Sequence, residues 1–127
     1  MRAARMEANI RRREGYFVRG SDLAYSLETL RGGDYEVYGR VCNLHVGAGK
    51  IEWRHGGGKP FAAIPPDPVW RHVRLGSLRI EESGAGGELV ITGMSGEAYF
   101  DQLYLVRREH QAAFEALPAD WRGGAAL

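Results

Sequence analysis

The sequence predicts an all-β protein, a sandwich of about eight to ten short antiparallel strands. Its 127 residues include eighteen glycines and five prolines. The glycines come in pairs and triplets without a fixed period, which indicates many tight turns. Segments with alternating apolar and polar residues recur about every ten residues, with no long helical pattern between them. Closely spaced turns and alternating segments favour a sandwich or barrel over a fold in which strands and helices alternate.

The segments that carry this alternation each predict a strand, and they are residues 16–18, 23–27, 35–46, 50–55, 69–80, 89–91 and 98–106. In the third, the apolar residues change face near Gly39 or Arg40, which predicts a bulge because one extra residue reverses the faces that follow. The last segment predicts Asp101 and Leu103 on one face and Phe100 on the other. Residues 59–68 contain four of the prolines and predict an extended loop without a regular ladder.

The chain predicts one domain over residues 1–108, followed by a C-terminal tail, 109–127. Within this tail, Glu109 to Leu117 has the pattern of a short helix that ends before Pro118. Seventeen basic and sixteen acidic residues give a net charge of +1, which favours neither nucleic acid nor a membrane surface as a partner. The lone Cys42 excludes an internal disulfide and a cysteine metal cluster. Met1 to Ile10 lacks a signal-peptide core, so a complete chain is expected to be cytoplasmic and a piece of a secreted enzyme extracellular.

Catalytic machinery is not visible in the sequence, which therefore predicts a protein that is not an enzyme. The Gly56 to Lys59 segment lacks the glycine spacing of a phosphate-binding loop, and Pro60 stands where a hydroxyl residue is needed. Glu81 and Glu82 are adjacent, so in an extended segment they point to opposite sides and cannot flank one bond.

Four pieces of sequence resemble, in order, the carbohydrate-binding modules of the β-jelly-roll type, which have a galactose-binding-like sandwich, and in particular the groups numbered six and thirty-five. They are Glu7-Ala8-Asn9, Gly33-Asp34-Tyr35-Glu36-Val37, Trp70 with the apolar strand after it, and Phe100-Asp101-Gln102-Leu103-Tyr104-Leu105. The resemblance covers about a hundred residues and implies a jelly roll that binds a glycan in a lectin-like manner without chemistry of its own.

The resemblance also implies a structural Ca²⁺ held by Glu7, Asn9 and Asp101, because calcium prefers oxygen ligands and can join the first and last strands. Asn9 stands where these modules have a second glutamate, and Tyr99 where they often have an asparagine that contacts sugar. Candidate ligand-binding residues, which would stack on a sugar ring or bond its hydroxyls, are Trp53, Tyr38, Tyr99, Asn43 and His45. For Trp53 a second interpretation stays open, because alternation places it with Ile51 on a face that suits the core. Trp70 is assigned to the structure.

The leading hypothesis from the sequence is a non-catalytic carbohydrate-binding module for a polysaccharide or glycan, free or detached from a glycan-acting enzyme whose catalytic domain would be its partner. The alternative is a structural or protein-interaction jelly roll that serves as a spacer, an oligomerisation face or a component of an assembly. A third, weaker hypothesis is a barrel that encloses a small molecule or nucleoside. An aromatic groove would favour sugar, and a broad apolar patch or an added strand edge would favour protein.

Overall fold

The computed structural model describes residues 4–6, 23–43, 49–56, 61–66, 68–94 and 98–121. Its strands are β1 (Ala4–Met6), β2 (Leu23–Ser26), β3 (Gly33–Asn43), β4 (Gly49–His55), β5 (Phe61–Ile64), β6 (Arg71–Ile80), β7 (Glu88–Met94) and β8 (Ala98–Arg107). A 3-10 turn at Arg108–His110 leads into the short helix α1, Gln111–Glu115. Within these ranges, no helix is long and apolar enough to cross a membrane. The strand predicted at residues 16–18 lies outside them.

The strands form two four-stranded antiparallel sheets packed face to face. Sheet A has the order β1-β8-β3-β6, and sheet B has the order β2-β7-β4-β5. Neighbours in each sheet are mostly distant in sequence, since β1 pairs with β8 and β2 with β7. The chain therefore crosses repeatedly between the sheets, as a jelly roll requires. The predicted all-β jelly-roll sandwich with a short C-terminal helix is confirmed.

The proline-rich segment is not wholly a loop, and the prediction for it was wrong in part. Residues Phe61–Ile64 form β5, which pairs with β4 from Gly49↔Ile64 to Glu52↔Phe61. Pro60 and Pro65 lie on either side of the strand, so no proline removes a donor inside it. Because β5 is the edge strand of sheet B, only one side of its backbone has to pair.

Two bulges shape sheet A, and neither adds its extra residue to β3. Against β6 the register shifts between Val37 and Tyr38, and against β8 it shifts between Arg40 and Val41. The second shift lies where the sequence predicts an irregularity, but the residue that the register skips there is Asp101 of β8. As a result Phe100 and Leu103 both point into the core. The prediction that they lie on different faces of β8 was wrong.

The core lies between the sheets, and Trp53 crosses it. This β4 side chain is 2% exposed, and its indole Nε1 donates a hydrogen bond to the carbonyl oxygen of Leu75 in β6, at 3.1 Å. The indole has room because residue 76 is a glycine: a Cβ there would lie 2.7 Å from the Trp53 Cζ2 atom. Trp53 therefore joins sheet B to sheet A by packing and by a buried hydrogen bond.

A second apolar cluster covers the opposite face of sheet A. Its buried members are Tyr38, Tyr104, Val106 and Phe114, and Leu117 and Trp121 pack against it. Phe114 of α1 is 1% exposed, and its ring lies 4.5 Å from that of Tyr38, measured between centroids. The C-terminal segment, as far as Trp121, therefore packs against sheet A.

We expect Gly76→Ala to destabilise the protein more than Gly84→Ala does. Both glycines have a positive φ, 153° and 82°, so both substitutions strain the backbone, but nothing lies within 4 Å of a Cβ at Gly84. The added methyl at residue 76 meets the Trp53 ring. The difference in unfolding free energy between the variants should be about 1–3 kcal/mol, measured by urea denaturation. Equal losses would show that the contact with Trp53 does not constrain the core.

Candidate functional site

Two of the predicted ligand-binding residues, Trp53 and Asn43, lie in the interior. Trp53 bonds Leu75 across the core, as described above, so its ring is covered by core side chains. Asn43 is 1% exposed, and its Nδ2 lies 3.3 Å from the Ile64 carbonyl oxygen and 3.4 Å from that of Pro65. The amide joins the end of β3 to the end of β5. Both residues therefore have structural roles here, and burial is the reason that neither presents itself to a sugar.

Tyr38 lies beneath the C-terminal segment. Its hydroxyl donates a hydrogen bond to the Glu115 carboxylate and accepts one from Gln111 Nε2, at 3.2 Å. Burial, and then the hydrogen bond to Glu115, raise the pKa of Tyr38 to about 12. The phenol thus stays neutral at physiological pH and holds α1 against β3, and its ring is 2% exposed. A sugar could stack on it only if the C-terminal segment moved away.

The other predicted residues are described in part or not at all. His45, Glu7 and Asn9 lie outside the described residues. For Tyr99 the structure gives the backbone, which pairs with Cys42 near the end of β3. The end of β3 therefore lies beside the start of β8, at one end of the sandwich.

Asp101 is buried and forms an ion pair with Arg40. The distance from Asp101 Oδ2 to Arg40 Nη1 is 3.1 Å, and the side chains are 2% and 7% exposed. Arg40 belongs to β3 and Asp101 is the extra residue of β8, so the pair joins the two strands at the bulge. Among the described residues no group of three or more His, Cys, Asp or Glu could hold a metal ion.

Trp70 is the aromatic residue that the sequence interpretation missed as a site candidate. It precedes β6 and is partly exposed, and Val69 beside it is the one exposed large hydrophobic residue in the described part of the chain, at 57%. The Arg40 guanidinium carbon lies 5.0 Å from the centre of the indole, within the range of a cation–π contact. A tryptophan at a loop–strand junction after several prolines is the signal that could have pointed to it.

A cleft of about 310 Å³ lies between β6 and the C-terminal segment. Its lining residues are Tyr38, Arg71, His72, Arg74, Phe114, Glu115, Leu117 and Ala119. Arg74 is held by Glu36, whose Oε1 atom accepts its Nε–H at 2.8 Å. Burial raises the pKa of Glu36, but bonds from Arg74, Ser77 and Arg108 outweigh it, and the pKa lies below its ordinary value. One charge on the wall of the cleft, that of Arg74, is therefore paired with a carboxylate.

Solved structures that match this fold include carbohydrate-binding modules. The CBM35 from Cellvibrio japonicus Abf62 matches with a TM-score of 0.54 and 14% identity, over 82% of this chain and 85% of that one. CBM6cm-2 from Cellvibrio mixtus lichenase 5A, in complex with cellotriose, matches with a TM-score of 0.51 and 16% identity, over 73% and 75%. No family model and no curated protein matches the sequence.

Two mannanases also match, and this chain spans a small part of each. The Podospora anserina GH26-CBM35 β-(1,4)-mannanase has a TM-score of 0.57 and 15% identity, over 82% of this chain and 25% of the enzyme. A ruminal GH26 endo-β-1,4-mannanase has a TM-score of 0.59 and 18% identity, over 70% of this chain and 18% of the enzyme. At such identities the likeness shows the fold.

We expect the stability of the protein to fall as the pH falls below about 6.5, because of His72. Its Nε2 donates a hydrogen bond to the Trp121 carbonyl at 2.8 Å. Burial lowers the pKa of His72 below its ordinary 6.5; the Trp121 bond opposes this, and the charge of Arg40 adds to it. The unfolded chain therefore takes up the proton at higher pH than the folded one, and stability is lost from about 6.5 down to the lowered pKa.

Urea denaturation between neutral pH and about pH 5 measures this effect. His72→Gln should flatten this part of the pH dependence, whereas His55→Gln, which removes a histidine of sheet B, should keep it. If His72→Gln leaves the pH dependence unchanged, His72 is not its source.

Proposed function

Because this chain has the jelly-roll fold of the CBM6 and CBM35 modules, we propose that it is a non-catalytic carbohydrate-binding module that recognises a polysaccharide or glycan. The observation that carries the proposal is the full-length correspondence with the Cellvibrio japonicus CBM35, which covers more than four fifths of both chains. A fold alone hosts many functions, so the proposal also needs a surface suited to sugar.

Trp70 supplies that surface. An aromatic ring can stack on the apolar C–H face of a pyranose, and a rigid ring does so at a low cost in conformational entropy. The indole of Trp70 is partly exposed, lies beside the exposed Val69 and is contacted by the buried Arg40. It also lies near the end of the sandwich where β3 ends and β8 begins, because Arg71 pairs with Val41 and Tyr99 with Cys42. We infer that the glycan lies across Trp70 at this end, with Tyr99 and His45 as further proposed contacts.

In this proposal the module is attached to, or derived from, a larger glycan-acting enzyme. The match to the Podospora anserina mannanase supports it, because a region of that size makes up a quarter of the enzyme. The reaction would then belong to a separate domain, and this chain would hold that domain close to its polysaccharide and raise its effective concentration there.

A structural or protein-interaction role has less support. Such a role calls for a broad apolar patch or an open strand edge. The apolar face of sheet A is covered by Phe114 and its neighbours, and Val69 is the only exposed large hydrophobic residue among those described. The edge strands of the two described sheets, β1 and β6 in sheet A and β2 and β5 in sheet B, are the remaining surface to which a protein partner could add a strand.

We expect Trp70→Ala to weaken polysaccharide binding about tenfold or more, because it removes the stacking surface. Affinity electrophoresis and calorimetry against β-mannan, xylan, β-glucan and cello-oligosaccharides measure the affinity. Trp70→Phe should keep part of it, since a smaller ring remains. Arg79→Ala is the control: this arginine is exposed and lies at the other end of β6, next to Asp34. Failure of the wild-type protein to bind any of these glycans, or full binding by Trp70→Ala, would refute the assignment.

A further inference from the structure

The fold family implies a structural calcium ion at Asp101, but the residues around this carboxylate do not suit a metal ion. An arginine side chain already binds it. Asp101 Oδ2 and Arg40 Nη1 are 3.1 Å apart, and both side chains are almost fully buried. A calcium ion at the same carboxylate would bring two further positive charges next to a fixed guanidinium, with little solvent to screen them.

Displacement of Arg40 by a metal ion would also be costly. An arginine side chain stays charged in proteins, so it cannot avoid the penalty by losing a proton. If calcium took Asp101, a buried guanidinium would lose its charge partner, and an unpaired buried charge is strongly destabilising. Only 7% of the Arg40 side chain is exposed, so water solvates little of its guanidinium in this conformation.

We propose that the Arg40 guanidinium takes the place of a structural metal ion in this chain. It neutralises the buried Asp101 carboxylate and joins β3 to β8 at the bulge, so the fold needs no calcium at Asp101. β1 ends at Met6 opposite Leu103, close in sequence to Asp101, and this is where an ion joining the first and last strands would have to lie. The cation here is instead a covalent part of β3.

Arg40 also positions the proposed glycan-binding ring, a consequence that rests on the proposed function. The guanidinium that binds Asp101 lies 5.0 Å from the centre of the Trp70 indole. A planar guanidinium can bind a carboxylate through its N–H groups while its flat face contacts an aromatic ring. The ion pair therefore restrains Trp70, and Arg40 acts on the glycan through this ring as a positioning residue.

The first experiment measures the melting temperature of the wild-type protein after EDTA treatment and after addition of Ca²⁺, with Mg²⁺ at equal ionic strength as the control. We expect the same melting temperature in all three, because anything that binds only the folded state would raise it. A rise that is specific to Ca²⁺ would overturn the proposal. This measurement needs no variant and no glycan.

The second experiment is a double-mutant cycle in metal-free buffer. Arg40→Met removes the charge but keeps the stem, and should lower the melting temperature by about 10 °C because the buried Asp101 carboxylate loses the guanidinium that neutralises it. Asp101→Asn should also lower it, and the double variant should lose less than the sum of the two. Additive losses would show that Asp101 does not depend on Arg40. Arg79→Met, which breaks the exposed pair with Asp34, should change little.

A third measurement tests the positioning of Trp70. Arg40→Lys keeps the positive charge but replaces the flat guanidinium, so it should restore much of the melting temperature lost in Arg40→Met while glycan affinity stays below that of the wild-type protein. Affinity equal to the wild-type value would remove the positioning role. If the wild-type protein binds no glycan, the proposed function fails, and the metal replacement is still decided by the melting temperatures.

Discussion

The bulge at Asp101 is the constraint on which the rest of sheet A depends. One extra residue in β8 brings Phe100 into the core beside Leu103 and places Asp101 next to Arg40 on the other side of the sheet. A partner of opposite charge stabilises a buried carboxylate, so Arg40 stabilises Asp101 in the bulge. The Arg40 guanidinium of this ion pair also contacts the ring of Trp70, which is partly exposed.

Both faces of sheet A carry packed apolar residues, and this decides which aromatic residues remain for a ligand. Trp53 of sheet B enters the core on one side, while Tyr38 and Tyr104 lie beneath the C-terminal segment on the other. Trp70 lies at the end of this sheet, beyond both clusters. Trp70 is therefore the candidate binding surface because Trp53 is buried in the core and Tyr38 and Tyr104 are buried in the outer cluster.

A guanidinium and a metal ion stabilise a buried carboxylate in different ways. A metal ion gathers several oxygen ligands from distant segments and can be removed by a chelator. An arginine contacts fewer groups, in a fixed planar geometry, and cannot dissociate from the chain. With Arg40 as the cation, the junction between β3 and β8 becomes independent of the ions in the surroundings, and its position is tied to the register of β3.

The sequence by itself determined the fold class, because alternation and turn residues are local patterns that can be recognised without knowing which strands pair. It predicted the strands around Val37, Ile51 and Leu105, and the short helix before Pro118. Tertiary structure alone decided the chemistry of the site. Whether Trp53 is core or surface depends on the sheet opposite it, the faces of β8 depend on one bulge residue, and the arginine that binds Asp101 is 61 residues away in sequence. Local patterns carry no information on which charge meets which, because such pairs form only when distant strands are brought together.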